Sequence, residues 1–167
     1  MKLKTLRDLY IHELKDIYSA EKQMTKALPK MAKAATNEEL AAGFEEHLAQ
    51  TEKQIERLDE IFEALGVSSR GEKCKGMEGL IEEATKMMEE DASPEVLDAA
   101  LIAAAQKAEH YEISGYGTLR TYAEMLGEDD AAALLQETLD EEIETDEKLT
   151  ELAESSINVE AESTESE

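Results

Sequence analysis

Apolar side chains recur every three or four residues along four long stretches of the chain, the period of helices with one buried face. The first stretch carries Leu6, Tyr10, Leu14, Ile17, Met24, Leu28 and Met31, with Glu21 standing where an apolar residue is due. Thr5-x-x-Asp8 resembles a capping box at its start, and the helix is expected to stop near Ala34 or Ala35 after a kink at Pro29. The second stretch opens on a capping box, Thr36-x-x-Glu39, and ends before Gly66, a natural left-handed stop. Its stripe is Leu40, Phe44, His47, Leu48, Thr51, Gln54, Ile55, Leu58, Ile61, Phe62 and Leu65, so three polar side chains lie together on an inner face. The third has Ser93 as N-cap and Pro94 at its first position, and runs to Gly127. Leu101, Ala104, Ala108, Tyr111, Gly115, Leu119, Tyr122 and Leu126 share one side of it, interrupted by Glu109 and Glu112. The fourth covers about Asp129 to Ser155, with Leu135, Leu139, Glu142, Asp146 and Leu149 inward.

The turns after the first and third helices are only a few residues long, which makes each pair an antiparallel hairpin. Residues 67–92 join the hairpins as a crossover, glycine-punctuated at first and then amphipathic through Met77, Leu80, Ile81, Ala84, Met87 and Met88. Two helical hairpins joined by one long connection predict an all-α fold, a ferritin-like four-helix bundle whose crossover carries a short extra helix. The bundle is expected over residues 1–156. Residues 157–167 are acidic and lack a stripe, and predict a disordered tail.

Inward acids need a proton or a cation to meet them. Counting back from each hairpin turn puts Glu21 at the height of Thr51, between His47 and Gln54, and puts Glu112 level with Glu142, with Glu109 one turn away. Glu21, His47, Gln54, Glu109, Glu112 and Glu142 are therefore the candidate metal ligands, and clustered carboxylates with one imidazole suit iron or manganese. No Glu-x-x-His occurs in the chain, so the strongest ligand pattern of ferritin-like di-metal proteins is missing. His47 as a satisfied core histidine, and the acids as protonated core residues, are the competing readings. The corresponding function is a helical scaffold that works through its surface without metal.

Composition narrows the class. The formal charge is −24, from 41 acids against 17 bases, which repels nucleic acid and anionic membranes and attracts cations. No apolar run approaches the roughly 20 residues that span a bilayer. A single cysteine, Cys74, excludes an internal disulfide and a cysteine-cluster metal site, and suits a reducing cytoplasm.

The runs DAALIAAAQKAEHYEISGYGTL, YSAEKQMTKALPKMAKAAT, CKGMEGLIEEA and LDEEIETDEKLTELA resemble the YciF/YciE-type bacterial proteins, a ferritin-like family of uncharacterised function. The likeness covers residues 3 to 153. It implies a four-helix bundle with an added short helix, a homodimer and an association with stress responses. Ferritin-like proteins often handle dioxygen or peroxide at paired metals, and the resemblance extends that expectation here, with oxidase or peroxidase chemistry as its form.

Overall fold

The computed structural model describes residues 3–163. Four long helices, α1 (Leu6–Ala34), α2 (Glu38–Leu65), α4 (Pro94–Met125) and α5 (Asp129–Leu152), form the bundle, and a short α3 (Lys75–Glu89) lies in the crossover. No strand occurs among the described residues, and none of their helices is long and apolar enough to cross a membrane. The all-α bundle with its helical crossover agrees with the periodicity.

Local chemistry sets the helix ends. Thr5 Oγ1 accepts from the Asp8 N–H while the Asp8 carboxylate accepts from the Thr5 N–H, a complete capping box. Pro29 lies inside α1, and the helix continues through it to Ala34. α2 departs from expectation by one position: its cap is Asn37, whose side chain accepts from the N–H groups of Glu39 and Leu40. Thr36 is engaged elsewhere, by Asp98 on α4. The Thr36 N–H and hydroxyl donate to Asp98 Oδ1 and Oδ2 at 2.8 and 2.6 Å, and the Asn37 N–H donates to Oδ2 at 2.8 Å. A buried carboxylate from the second hairpin thus fastens the turn of the first. Gly66 ends α2 at φ 64°, a conformation open to glycine.

Packing is tightest within the hairpins, α1 on α2 and α4 on α5, whereas α2 and α5 meet over a much shorter stretch. Leu14, Leu28, Leu58, Ile61, Leu101, Leu119 and Leu135 are buried between the helices. Each contributes about 1.5–3 kcal/mol relative to exposure. α1 and α4 approach closely at Gly115, where a Cβ would sit 2.9 Å from Ile17 Cδ1 and push that methyl aside. The inner face of α4 is rotated from the expected stripe: Ala105, Glu109, Glu112, Tyr116 and Ala123 are buried, while Tyr111, Gly115 and Tyr122 are half-buried at its flank.

The crossover is anchored at Cys74, the buried N-cap of α3. The Cys74 N–H donates to Ser19 Oγ at 2.9 Å, and its carbonyl accepts from Gln23 at 3.0 Å. Its thiol lies 3.2 Å from Asp16 Oδ2 and 3.0 Å from the Tyr111 hydroxyl, which itself donates to Asp16 at 2.6 Å. Burial, with the Asp16 charge adding to it, pushes the thiol pKa up, so this cysteine is a structural group.

The C-terminal end corrects the expected tail. After α5 the chain makes a π-helical turn, Ala153–Ile157, and continues as α6 (Asn158–Ser163) against α4. Ile157 is 1% exposed. In a regular α-helix it would lie about 80° around the axis from Leu149, and the wider turn takes up most of that drift. Residues 164–167 of the expected tail lie outside the described residues.

Candidate metal centre

All four long helices deliver a side chain to one depth of the bundle. Glu21 comes from the middle of α1, His47 and Gln54 from α2, Glu109 and Glu112 from α4, and Glu142 from α5. Helical spacing does the placing: residues three, four or seven apart share a face, so Glu109, Glu112 and Tyr116 project from one side of α4. All six candidate residues are at most 3% exposed.

One ligand atom from each of His47, Glu109, Glu112 and Glu142 lies within 4.8 Å of the other three. His47 Nε2 is 3.1 Å from Glu109 Oε1 and 4.0 Å from Glu142 Oε2. The shorter distance is that of an ion pair but lacks hydrogen-bond alignment, and Nε2 has no partner. On the other side of the ring, Nδ1 lies 3.5 Å from Gln50 Oε1, an acceptor, which favours a proton on Nδ1 and a lone pair on Nε2. Glu21 stands outside this four-residue group and interacts with it through Glu112 and Glu142. The Tyr116 hydroxyl donates to Glu21 Oε1. Gln54 donates through its amide nitrogen to Glu142 Oε1, and to Glu141 Oε2 at 3.0 Å. Arg57 grips Glu141 with two 2.7 Å bonds, also reaching Glu137 and Thr138, and so holds the flank of the site in place.

The electrostatics follow from burial. Desolvation, aided by the Glu142 charge, raises the Glu21 pKa to about 8, and desolvation raises that of Glu109 to about 7. Glu112 and Glu142 are pushed well above the usual carboxylate range, by burial first and by neighbouring carboxylates second. Buried Tyr116 is likewise raised well above its ordinary value, by desolvation and the charges of Glu21 and Glu112.

Unpartnered atoms test whether a cation fits. With every carboxyl ionised, Glu21 Oε2, His47 Nε2, Gln54 Oε1, Glu109 Oε2, both Glu112 oxygens and Glu142 Oε2 are buried without a hydrogen bond, whereas shared protons would link Glu112 to Glu21 and Glu142 and link Glu109 to Glu142. Native interiors rarely leave so many acceptors unpaired in one place. One ligand atom each from His47, Glu109, Glu112 and Glu142 lies within reach of the others. Oxygen-rich ligation with one imidazole matches the preference of iron and manganese. The donor set therefore fits the group.

Of the six sequence-derived candidates, His47, Glu109, Glu112 and Glu142 come together, Glu21 borders them through Glu112 and Glu142, and Gln54 is bonded to Glu142. One further polar residue of the expected faces stays apart: Asp146 lies at the edge, 3.1 Å from exposed His110. Sequence reasoning did not pair Tyr116 with Glu21, although Tyr116 falls four residues after Glu112 on the same face. Nothing local in the sequence announces Arg57 as the clamp on Glu141.

Comparison with known proteins places the chain. "Protein YciF" of Escherichia coli K12 is 55% identical over 163 residues, covering 97% of this chain and 98% of the relative. The crystal structure of the E. coli stress protein YciF superposes with a TM-score of 0.90 at 55% identity, covering 93% of this chain and 99% of that one. YcfI from Rhodopseudomonas palustris gives 0.87 at 50% identity, covering 89% and 95%. A protein of Xanthomonas campestris shares the fold at 0.76 with 23% identity, covering 96% and 99%. The family model described as "Domain of unknown function (DUF892)" matches residues 5–162. With that match over nearly its whole length, the chain belongs to the DUF892 family and is of the YciF type.

Proposed function

We propose that this protein is a stress-associated, ferritin-like metalloprotein whose bundle core binds iron or manganese. The observation that carries the reading is the set of seven buried, unpartnered acceptor atoms on Glu21, His47, Gln54, Glu109, Glu112 and Glu142. His47, Glu109, Glu112 and Glu142 would hold one cation. Glu21, linked to Glu112 and Glu142 from the opposite side, would serve a second. The E. coli relative is described as a stress protein, and the proposal extends that association to this chain.

Bound iron or manganese supplies one-electron chemistry toward dioxygen or peroxide. The residues around it have definable tasks. Gln54 orients Glu142 by donating to it, and the Arg57–Glu141 pair fixes that end of the site. Tyr116 donates to Glu21 and holds its carboxylate toward the centre.

The test is metal analysis of tag-free protein, followed by titration of metal-depleted protein with Fe(II) and Mn(II) and by oxygen-uptake measurements. Saturable binding that raises the melting temperature supports the reading. Absence of binding and of iron-dependent oxygen uptake would leave a metal-free scaffold instead. The proposal includes a homodimer, for which Val96, Ile143, Met125 and Val159 provide exposed apolar surface. Sedimentation at tens of micromolar should give twice the 18.5 kDa chain mass, and a monomer would refute that part.

A further inference from the structure

The seam between α2 and α5 is looser than that between α1 and α4, and it contains a cavity of about 570 Å³. Exposure falls along its lining. Glu39 and Glu46 of α2 and Lys148 and Glu151 of α5 are exposed, Gln50 and Thr145 are half-buried, and His47 and Glu109 are buried. The cavity therefore runs from solvent to two members of the carboxylate cluster. At that inner end His47 Nε2 has no hydrogen-bond partner, nor has Glu109 Oε2 when the carboxyls are ionised. Four other hollows touch none of the six ligand candidates.

We propose that this cavity is the route by which a divalent cation reaches the cluster, with the Lys148 side chain as its electrostatic gate. The route rests on the metal reading. Charge favours a cation at the mouth, where Glu39, Glu46 and Glu151 surround a single base in a chain of net charge −24. Leu40, Phe44, Leu149 and Leu152 line the same cavity as low-dielectric walls. Acidic charge over such walls focuses the field and raises capture of a counter-ion by about 10- to 1,000-fold. Deeper in, Gln50 Oε1 and the Thr145 hydroxyl, 3.4 Å apart, present oxygen lone pairs beside His47. Space is sufficient: about six waters around a divalent ion occupy about 180 Å³. Lys148 spans the seam, 3.0 Å from Glu144 on its own helix and 3.7 Å from Glu46 on α2. Its charge opposes an incoming cation. Exposed ion pairs contribute little, so the side chain swings aside readily.

Gly43 and Lys148 supply the test. Gly43 lines the cavity one turn before His47, and a Cβ built there meets nothing within 4 Å. Gly43→Leu should narrow the route without straining the helix, since leucine is a far better helix former than glycine. Gly43→Ala controls for helix propensity. Full-length, tag-free protein, depleted of metal, would be mixed with Mn(II) in a stopped-flow instrument with a fluorescent indicator of the free ion. Release would be followed after adding excess chelator. A barrier in the route slows both directions alike and leaves the end states untouched. Gly43→Leu should therefore slow uptake and release at least fivefold each and keep the Mn(II) affinity within twofold of wild type. Gly43→Ala should keep all three within twofold. Lys148→Gln should speed uptake at least threefold at about 20 mM salt, and that advantage should vanish near 0.5 M, where the field is screened. Uptake by Gly43→Leu at the wild-type rate, or a lowered affinity with unchanged rates, overturns the route while leaving the metal reading intact. Uptake by Lys148→Gln no faster than wild type overturns the gate. No Mn(II) binding by any of the four proteins refutes the metal reading, and the route falls with it. Circular dichroism establishes that each variant folds; should Gly43→Leu fail to, the salt-dependent rate of Lys148→Gln decides alone.

Discussion

Depleting the protein of metal should make its stability depend steeply on pH in a window where most proteins are indifferent. The folded carboxyls hold protons that the unfolded chain releases: burial raises the pKa of Glu109 to about 7 and that of Glu21 to about 8, from an ordinary value of 4.5. Between the unfolded and folded values the native state binds more protons than the unfolded one, so stability falls as pH rises. It is fully present below about 4.5 and is lost as pH passes through the folded values. Each retained proton contributes about 1.4 kcal/mol per pH unit. The acids interact, so one retained proton is the conservative count, giving about 2 kcal/mol between pH 5.5 and 7. For a chain of this size that is a fall of about 4–8 °C in melting temperature, and about twice that for two protons. Calorimetry of chelator-treated protein across this range measures it. Saturating Fe(II) or Mn(II) should reverse the loss at pH 7, where the carboxylates are wanted ionised. A melting temperature that stays level or rises from pH 5.5 to 7 in the metal-free protein would refute the reasoning.

Other perturbations separate the parts. Replacing Glu21 and Glu112 together by Gln should abolish cation binding, flatten that pH slope and leave the metal-free fold at least as stable as wild type; full metal occupancy would place the site elsewhere. Asp98→Ala removes three bonds to one buried carboxylate and strands two backbone N–H groups and a hydroxyl. It should cost about 3–5 kcal/mol and lower the melting temperature by about 6–20 °C, readable by circular dichroism. A change within error would mean that water replaces the carboxylate. Truncation after Ser156 removes buried Ile157 and should lower the melting temperature by about 4–8 °C, from a burial contribution of about 2 kcal/mol. An unchanged melt would return this segment to the status of a tail.

The fold was legible because four stripes, the Thr5 and Ser93 caps and Gly66 are all local signals, and the short turns leave few topologies. The candidate site was legible for a related reason. Glu21, His47, Glu109, Glu112 and Glu142 interrupt apolar stripes, and counting from a hairpin turn converts sequence position into depth. What stayed hidden depends on rotation and on long-range partners. The inner face of α4 is turned toward Ala105, Tyr116 and Ala123, because two acids and many small residues give the stripe no sharp centre. Asp98 reads as an ordinary surface acid until the turn 61 residues earlier is brought to it. Ile157 reads as tail because a π-turn rephases the helix, and no residue in Ala153–Ile157 signals that turn in advance.

The Asp98 clasp also bears on how the chain is made. Hairpin one leaves the ribosome with its turn incomplete, since the N–H groups of Thr36 and Asn37 find their acceptor only when α4 begins. At about 5–20 residues per second, the wait is about 3–12 s. During it the first hairpin has one face of its stripe open and Glu21 and His47 facing no partner helix. Synthesis then supplies α3, which covers one side, and next the first turns of α4 with Asp98. The acceptor for that turn thus emerges before Glu109 and Glu112 do, so the turn can be fastened before the acids of α4 reach His47.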